Sequence, residues 1–159
     1  MQNYQIRSMT PDDLPLLRQW LAEPHVAEWW HDAEDFEFVS GDLDHPDTAQ
    51  FIVEHGGEPF AYLQCYRMSD WNVCFGPQPD GTRGLDQIIG KADMIGRGHG
   101  SAFVRQFTDT LFTRGVPRVV LDPRPDNARA IRAYEKAGFH FDKIIETPDG
   151  PATLMVRHK

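Results

Sequence analysis

Ile95-Gly96-Arg97-Gly98-His99-Gly100-Ser101 sets three glycines in alternation and runs straight into an apolar repeat at Ala102, Phe103, Val104, Phe107, Leu111 and Phe112. That spacing is the i, i+3, i+4 pattern of a helix with one buried face. Gly115 followed by Val116-Pro117 predicts its end. A glycine-rich turn therefore opens directly into a helix N-terminus. Glycine lets the backbone bend and lets a ligand come close to the main-chain amides. The first N–H groups of a helix are unpaired and carry partial positive charge, which suits a phosphate.

Spacing narrows the phosphate ligand. The dinucleotide fingerprint G-x-G-x-x-G fails, because Gly96 and Gly98 would need a third glycine where Ser101 stands. The P-loop fails because Gly90-Lys91 is followed by Ala92, with no glycine at the required distance upstream. The pattern that fits is x-x-x-G-x-G entering a helix, with Gly98 and Gly100 as the pair. This resembles the pyrophosphate-binding turn of the GNAT family of N-acetyltransferases, which use acetyl-CoA. Where that family usually carries Gln or Arg, three residues before the pair, this chain has Ile95. By itself the turn also reads as a tight strand-to-helix connection.

The chain of 159 residues suits one domain, 1–159, and its 40% hydrophobic content can fill a core. The net charge of −8 argues against nucleic acid as a partner and is compatible with a cationic small substrate, or simply with solubility. No run of 18 apolar residues is present, so no membrane span is expected. The start, Met1 to Gln5, is polar and lacks a signal core. Two cysteines, Cys65 and Cys74, fit a reduced, cytoplasmic protein, and no Cys/His cluster has metal-ligand spacing.

Taken in order, Tyr4–Arg7 reads as a strand, and Thr10-Pro11-Asp12-Asp13 as a helix start with a Thr cap. Leu14, Leu17, Trp20 and Leu21 make the apolar stripe of that helix, which Pro24 ends; residues 25–30 form a second short helix. Residues 31–50 are acidic with weak apolar patterning, and read as a loop with at most a turn or so of helix. Strands follow at 51–54 and 60–66 around a His55-to-Pro59 hairpin turn, then a strand or loop at 70–75, a loop at 76–81 and a central strand at 82–89. Past the helix after the glycine turn come a buried strand at 119–122, a helix opened by Asn127 and ended by Gly138, and a strand at 139–145. A turn at 147–151 and a closing strand at 154–156 complete the chain. Antiparallel hairpins first, then strand-helix-strand-helix-strand, predict an α/β (α+β) chain with one mixed, mostly antiparallel sheet of six to seven strands flanked by helices.

The second half adds specific matches. Asp122-Pro123-Arg124-Pro125-Asp126-Asn127 and the following Ala130-Ile131-Arg132-Ala133-Tyr134-Glu135-Lys136-Ala137-Gly138-Phe139 are similar to the GNAT segment N-x-x-A-[IR]-x-x-Y-x-K-x-G-F. Glu28-Trp29-Trp30, Arg83-Gly84-Leu85-Asp86-Gln87 and Thr147-Pro148-Asp149-Gly150-Pro151-Ala152 together look like the aminoglycoside 6′-N-acetyltransferases of that family. The resemblance implies Asp86 as general base and Tyr134 beside the CoA sulfur as acid. It implies Trp29, Trp30, Asp70, Asp86, Asp122 and Asp149 around the aminosugar. It implies acetyl-CoA held by Gln87, Ile88 and Ile89, by Ile95, Gly96, Arg97, Gly98, His99, Gly100 and Ser101, and by Asn127, Ala130 and Tyr134, with no metal. The expected partners are acetyl-CoA and a cationic aminoglycoside, on a monomer or weak homodimer, with no nucleic acid and no membrane.

The chemistry agrees with that allocation. A thioester is attacked by a neutral amine, whereas a lysine-like amine has a pKa of about 10.4. A carboxylate attracts the cation and, directly or through water, takes its proton. An exposed Asp, at about 3.9, is a weak base, and burial beside Leu85 and Ile88 would raise it. The departing thiolate needs a proton, which a phenol supplies, and backbone N–H groups near Gln87–Ile89 could polarise the carbonyl. Each residue also has a plainer reading. Tyr134 shares a face with Ile131 and could be core; Asp149 in Pro-Asp-Gly is a turn residue; Asp122 ends a strand; Asn127 caps a helix; one of Trp29 and Trp30 could be core; His99 is expected exposed beside the phosphates rather than catalytic. Alternatives to the drug-modifying enzyme are a GNAT enzyme for another amine (a polyamine, an aminosugar metabolite or a protein N-terminus) and an acyl-CoA sensor without turnover.

Overall fold

Alternation of buried and exposed residues decides where each strand lies. In the computed structural model, which describes residues 3–68 and 74–159, with no side-chain description of 32 and 33, seven strands form one sheet. They are β1 (Gln5–Ser8), β2 (Thr48–His55), β3 (Glu58–Arg67), β4 (Arg83–Ile89), β5 (Arg118–Leu121), β6 (His140–Thr147) and β7 (Gly150–His158), in the order β1-β2-β3-β4-β5-β7-β6. β3 and β7 are buried along nearly their whole length and lie inside the sheet, whereas β6 is exposed along most of its length and lies at an edge. β4 and β5 pair in parallel at Arg83↔Val119 and Gly84↔Val120; β1–β2, β5–β7 and β6–β7 pair antiparallel. The mixed, mostly antiparallel seven-stranded sheet flanked by helices is the expected class.

The helices are α1 (Leu14–Leu21), α2 (Pro24–Ala27), α3 (Asp32–Gly41), α4 (His99–Thr113) and α5 (Ala128–Lys136). Three differ from the sequence reading. Pro11–Asp13 form a 3-10 turn ahead of α1, with Thr10 N–H donating to Asp13 Oδ2 at 2.9 Å. Pro24 opens α2 rather than merely closing α1, because its missing N–H costs nothing at a first helical position. The acidic stretch expected as a loop holds α3, a ten-residue helix. Residues 69–73, including most of the 70–75 strand or loop, lie outside the described residues; Cys74 and Phe75 begin in a 3-10 turn.

The chain divides into two compact units, residues 1–65 with 86–99, and residues 66–85 with 100–159. In the first, Met9, Leu17, Trp20, Leu21, Val26, Val39, Ile52, Tyr62 and Ile88 make one buried cluster, so α1, α2 and α3 all press an apolar stripe on β2, β3 and β4. Each large side chain removed from water there contributes roughly 1.5–3 kcal/mol. Gly90, just past β4, lets Trp20 lie against the backbone: a Cβ there would sit 2.1 Å from the indole Cγ. In the second unit Tyr66, Phe75, Val120, Ile145, Ala152, Leu154 and Val156 form the core. There Arg157, on β7, reaches α4, where it hydrogen-bonds Thr108 and pairs with Asp109 at 2.6 Å.

Candidate active site

Strand β4 fixes the alternation around Asp86. Its neighbours Leu85 and Ile88 are buried, and Asp86 is half-buried. Asp86 Oδ2 accepts from Gln64 Nε2 at 2.8 Å, and Gln64 Oε1 lies 2.7 Å from Tyr62 Oη, which donates to it. Tyr62 and Gln64 are two apart on β3 and so share a face. Burial raises the Asp86 pKa above the ordinary carboxylate value; the Gln64 bond works against that rise, and the charge of Asp35 on α3 adds to it. Tyr62 is pushed well up, first by burial and then by Asp86. The environment expected for Asp86 is therefore the one observed. Sequence reading missed Gln64, Tyr62 and Asp35. The first two were visible as polar atoms in an otherwise apolar central strand, and Asp35 would have emerged had α3 been recognised.

Trp29 and Trp30 follow α2, both donating backbone N–H to Val26 O at 3.0 Å. Trp30 packs on the apolar cluster of its unit, and both are half-buried. Ile88 is buried in that cluster, and Ile89 O is bound by His25 Nε2 at 2.8 Å. Gln87 is half-buried.

The glycine turn follows a 3-10 turn at Ala92–Met94. Gly96 and Gly98 adopt φ of +74° and +85°, a region L side chains rarely enter, and a Cβ on either would meet nothing within 4 Å. Conformation, not crowding, requires glycine there, and the space in front of the backbone is open. Ile95 is half-buried and Arg97 exposed; Gly100 and Ser101 are half-buried in the first turn of α4.

His99 corrects the sequence expectation. It is buried, with 6% of its surface exposed, and does not stand in solvent. Its Nδ1 lies 2.7 Å from Tyr4 Oη, and its ring packs with Tyr4, His55 and Phe60, the His55 centroid 5.1 Å away. The physical reason is helical spacing. As the first residue of α4 it lies four before Phe103, so it joins the helix's inward face. Burial lowers its pKa first, with His55 and Arg97 adding to the effect.

In the second unit Tyr134 on α5 is buried, its ring 6.3 Å from that of Phe139. Asn127 caps α5, its Oδ1 accepting from Ala130 N–H at 3.2 Å, and Ala130 is half-buried on the next turn. Asp122, half-buried after β5, lies close enough to Cys74 to raise the thiol's pKa, after burial, which is the larger cause. Asp149 is exposed in the two-residue turn joining β6 to β7, its N–H donating to Thr147 Oγ1 at 3.2 Å. Asp70 lies outside the described residues. Among the described residues no helix is long and apolar enough to cross a membrane.

Comparison with known proteins adds to this geometry. Residues 10–147 match the acetyltransferase (GNAT) domain family. The chain is 36% identical over 163 residues to aminoglycoside N(6′)-acetyltransferase type 1 of Klebsiella pneumoniae, a match covering 96% of this chain and 81% of that protein. A kanamycin resistance protein of Rhizobium radiobacter is 46% identical over 78 residues, 48% of this chain and 72% of that one. Among solved structures, AAC(6′)-Ib in complex with coenzyme A and kanamycin superposes with a TM-score of 0.84 at 35% identity, covering 99% of this chain and 95% of that one.

Proposed function

The chain belongs to the GNAT acetyltransferase family, and from that premise we propose that it transfers the acetyl group of acetyl-CoA to the 6′-amine of aminoglycosides, as one domain over 1–159. The observation that carries this reading is the likeness, over 99% of the chain, to an aminoglycoside acetyltransferase holding coenzyme A and kanamycin. The net charge of −8 suits a polycationic acceptor and disfavours nucleic acid. The same reading makes the protein a cytoplasmic monomer or weak homodimer.

In this reading Asp86 takes a proton from the 6′-ammonium. The freed nitrogen attacks the thioester carbonyl, a C–N bond forms, and the C–S bond breaks. The CoA sulfur leaves with a proton supplied by Tyr134, and the second proton shed by the nitrogen as the amide forms restores the Tyr134 phenol through solvent. A carboxylate whose pKa is raised by burial is a better base than one in water, and it retains the charge that draws the cation in. Trp29, Trp30, Asp70, Asp122 and Asp149 bound the aminosugar. Backbone amides of the turn from Gly96 to Ser101 hold the donor's diphosphate; buried His99 serves that turn from within, and Asn127 and Ala130 flank the donor. Main-chain N–H groups at Gln87–Ile89 meet the thioester carbonyl.

The test is thiol release. Purified protein with acetyl-CoA is expected to liberate CoA with kanamycin or tobramycin, and not with analogues carrying a 6′-hydroxyl. Turnover on spermidine or peptides with none on any aminoglycoside would replace this acceptor with another amine. Acetyl-CoA binding with no turnover on a broad amine panel would make the protein a sensor.

A further inference from the structure

Two side chains behind Asp86 stand in a fixed order. Tyr62 is fully buried, and Gln64 lies between it and the carboxylate. A phenol has one hydrogen to give, and at 2.7 Å it gives it to Gln64 Oε1. With its oxygen so engaged, the Gln64 carboxamide can only present its NH2 to Asp86. A carboxyl oxygen accepts this bond in either protonation state but more strongly when ionised, so the polarity of this chain favours the charged form of Asp86.

We propose that Gln64 is a positioning residue for acetyl transfer: oriented by Tyr62, its carboxamide ties down Oδ2 of Asp86 and leaves Oδ1 as the oxygen that meets the substrate ammonium. The proposal rests on Asp86 being the base. Gln64 and Tyr62 are uncharged at neutral pH, so they aim the carboxylate without neutralising it, which an arginine in the same place would do. The other charged or titratable groups acting here are Asp35 on α3, which raises the Asp86 pKa, and Asp42 just past α3, which acts on Tyr62. Both carboxylates oppose ionisation nearby, and the Gln64 bond is what works the other way. Without that bond Asp86 holds its proton to higher pH, and the geometry of proton transfer is lost with it.

The experiment is the pH profile of kcat/KM for kanamycin in wild type, Gln64→Leu, Tyr62→Phe and Asp86→Asn, each with a thermal melt. Loss of a hydrogen bond to a charged group is expected to move the acid limb of Gln64→Leu up by about one pH unit and to lower the plateau by about tenfold. Tyr62→Phe, which removes one oxygen and frees the amide to turn over, is expected to move the limb the same way by less. KM for acetyl-CoA stays as in wild type in both. An acid limb that does not move in a cooperatively folding variant overturns the proposal. If Gln64→Leu does not fold, Tyr62→Phe alone decides. An Asp86→Asn enzyme that keeps the wild-type acid limb removes the base itself, and so takes away the premise rather than the role of Gln64.

Discussion

The surroundings of Asp86 oppose its charge. Burial and the charge of Asp35 push its pKa up, and among the described residues the Gln64 bond pulls it down. The sign for stability follows. A carboxyl whose folded pKa is raised takes up its proton more readily when folded, so ionisation destabilises the fold as pH rises through the raised pKa. An asparagine keeps an oxygen to accept from Gln64 and carries no charge. Asp86→Asn is therefore expected to lower kcat by about a hundredfold or more while raising the melting temperature at pH 8 by a few degrees. Equal activity would remove Asp86 as base; a clear fall in melting temperature would show that its charge is compensated by contacts beyond Gln64. Its strand position and environment were legible from Leu85 and Ile88. The partners were not, because Gln64 and Tyr62 lie 22 and 24 residues away in sequence and meet Asp86 only through strand packing.

At the scale of elements, α4 joins an open glycine turn to a buried first residue. Burial lowers the pKa of His99, and His55 and Arg97 add to the effect. A histidine with a lowered folded pKa contributes stability that is present above its unfolded value of about 6.5 and is lost as pH falls below it. The melting temperature of wild type is therefore expected to fall more steeply as pH drops below about 6.5 than that of His99→Leu, which keeps the packing and loses the titration. Parallel falls in the two proteins would mean that His99 stays hydrated enough to titrate normally. The helical periodicity of α4 and α5 and the alternation of the strands were readable because the apolar residues recur without interruption. Helix α3 was not. Phe36, Val39 and Leu43 do pack on the core, yet Phe38 beside them is 66% exposed, which blurs the stripe, and carboxylates fill the rest. His99 was misplaced for a related reason: its glycine neighbours suggested ligand contact, while the i, i+4 relation to Phe103 decided its direction.

For the whole molecule, the sheet order and the family follow from features spread along the chain, so both were legible: the pairing of hairpins with β-α-β units gave the class, and the two separated motifs gave the family. Acceptor choice was less so, because the residues proposed to bound the aminosugar, Trp29, Asp122 and Asp149 among them, come from distant segments and none is distinctive alone. The central claim is that a chain of net charge −8 grips a diphosphate with main-chain amides while its carboxylates receive a many-amine acceptor. The measurement that tests this most directly is a crystal structure of the protein with coenzyme A and kanamycin bound together. The account predicts the diphosphate on the backbone N–H groups of the turn from Gly96 to Ser101 and the 6′-nitrogen about 3 Å from an oxygen of Asp86. A diphosphate seated away from that turn, or a 6′-nitrogen held by other groups out of reach of Asp86, would contradict it.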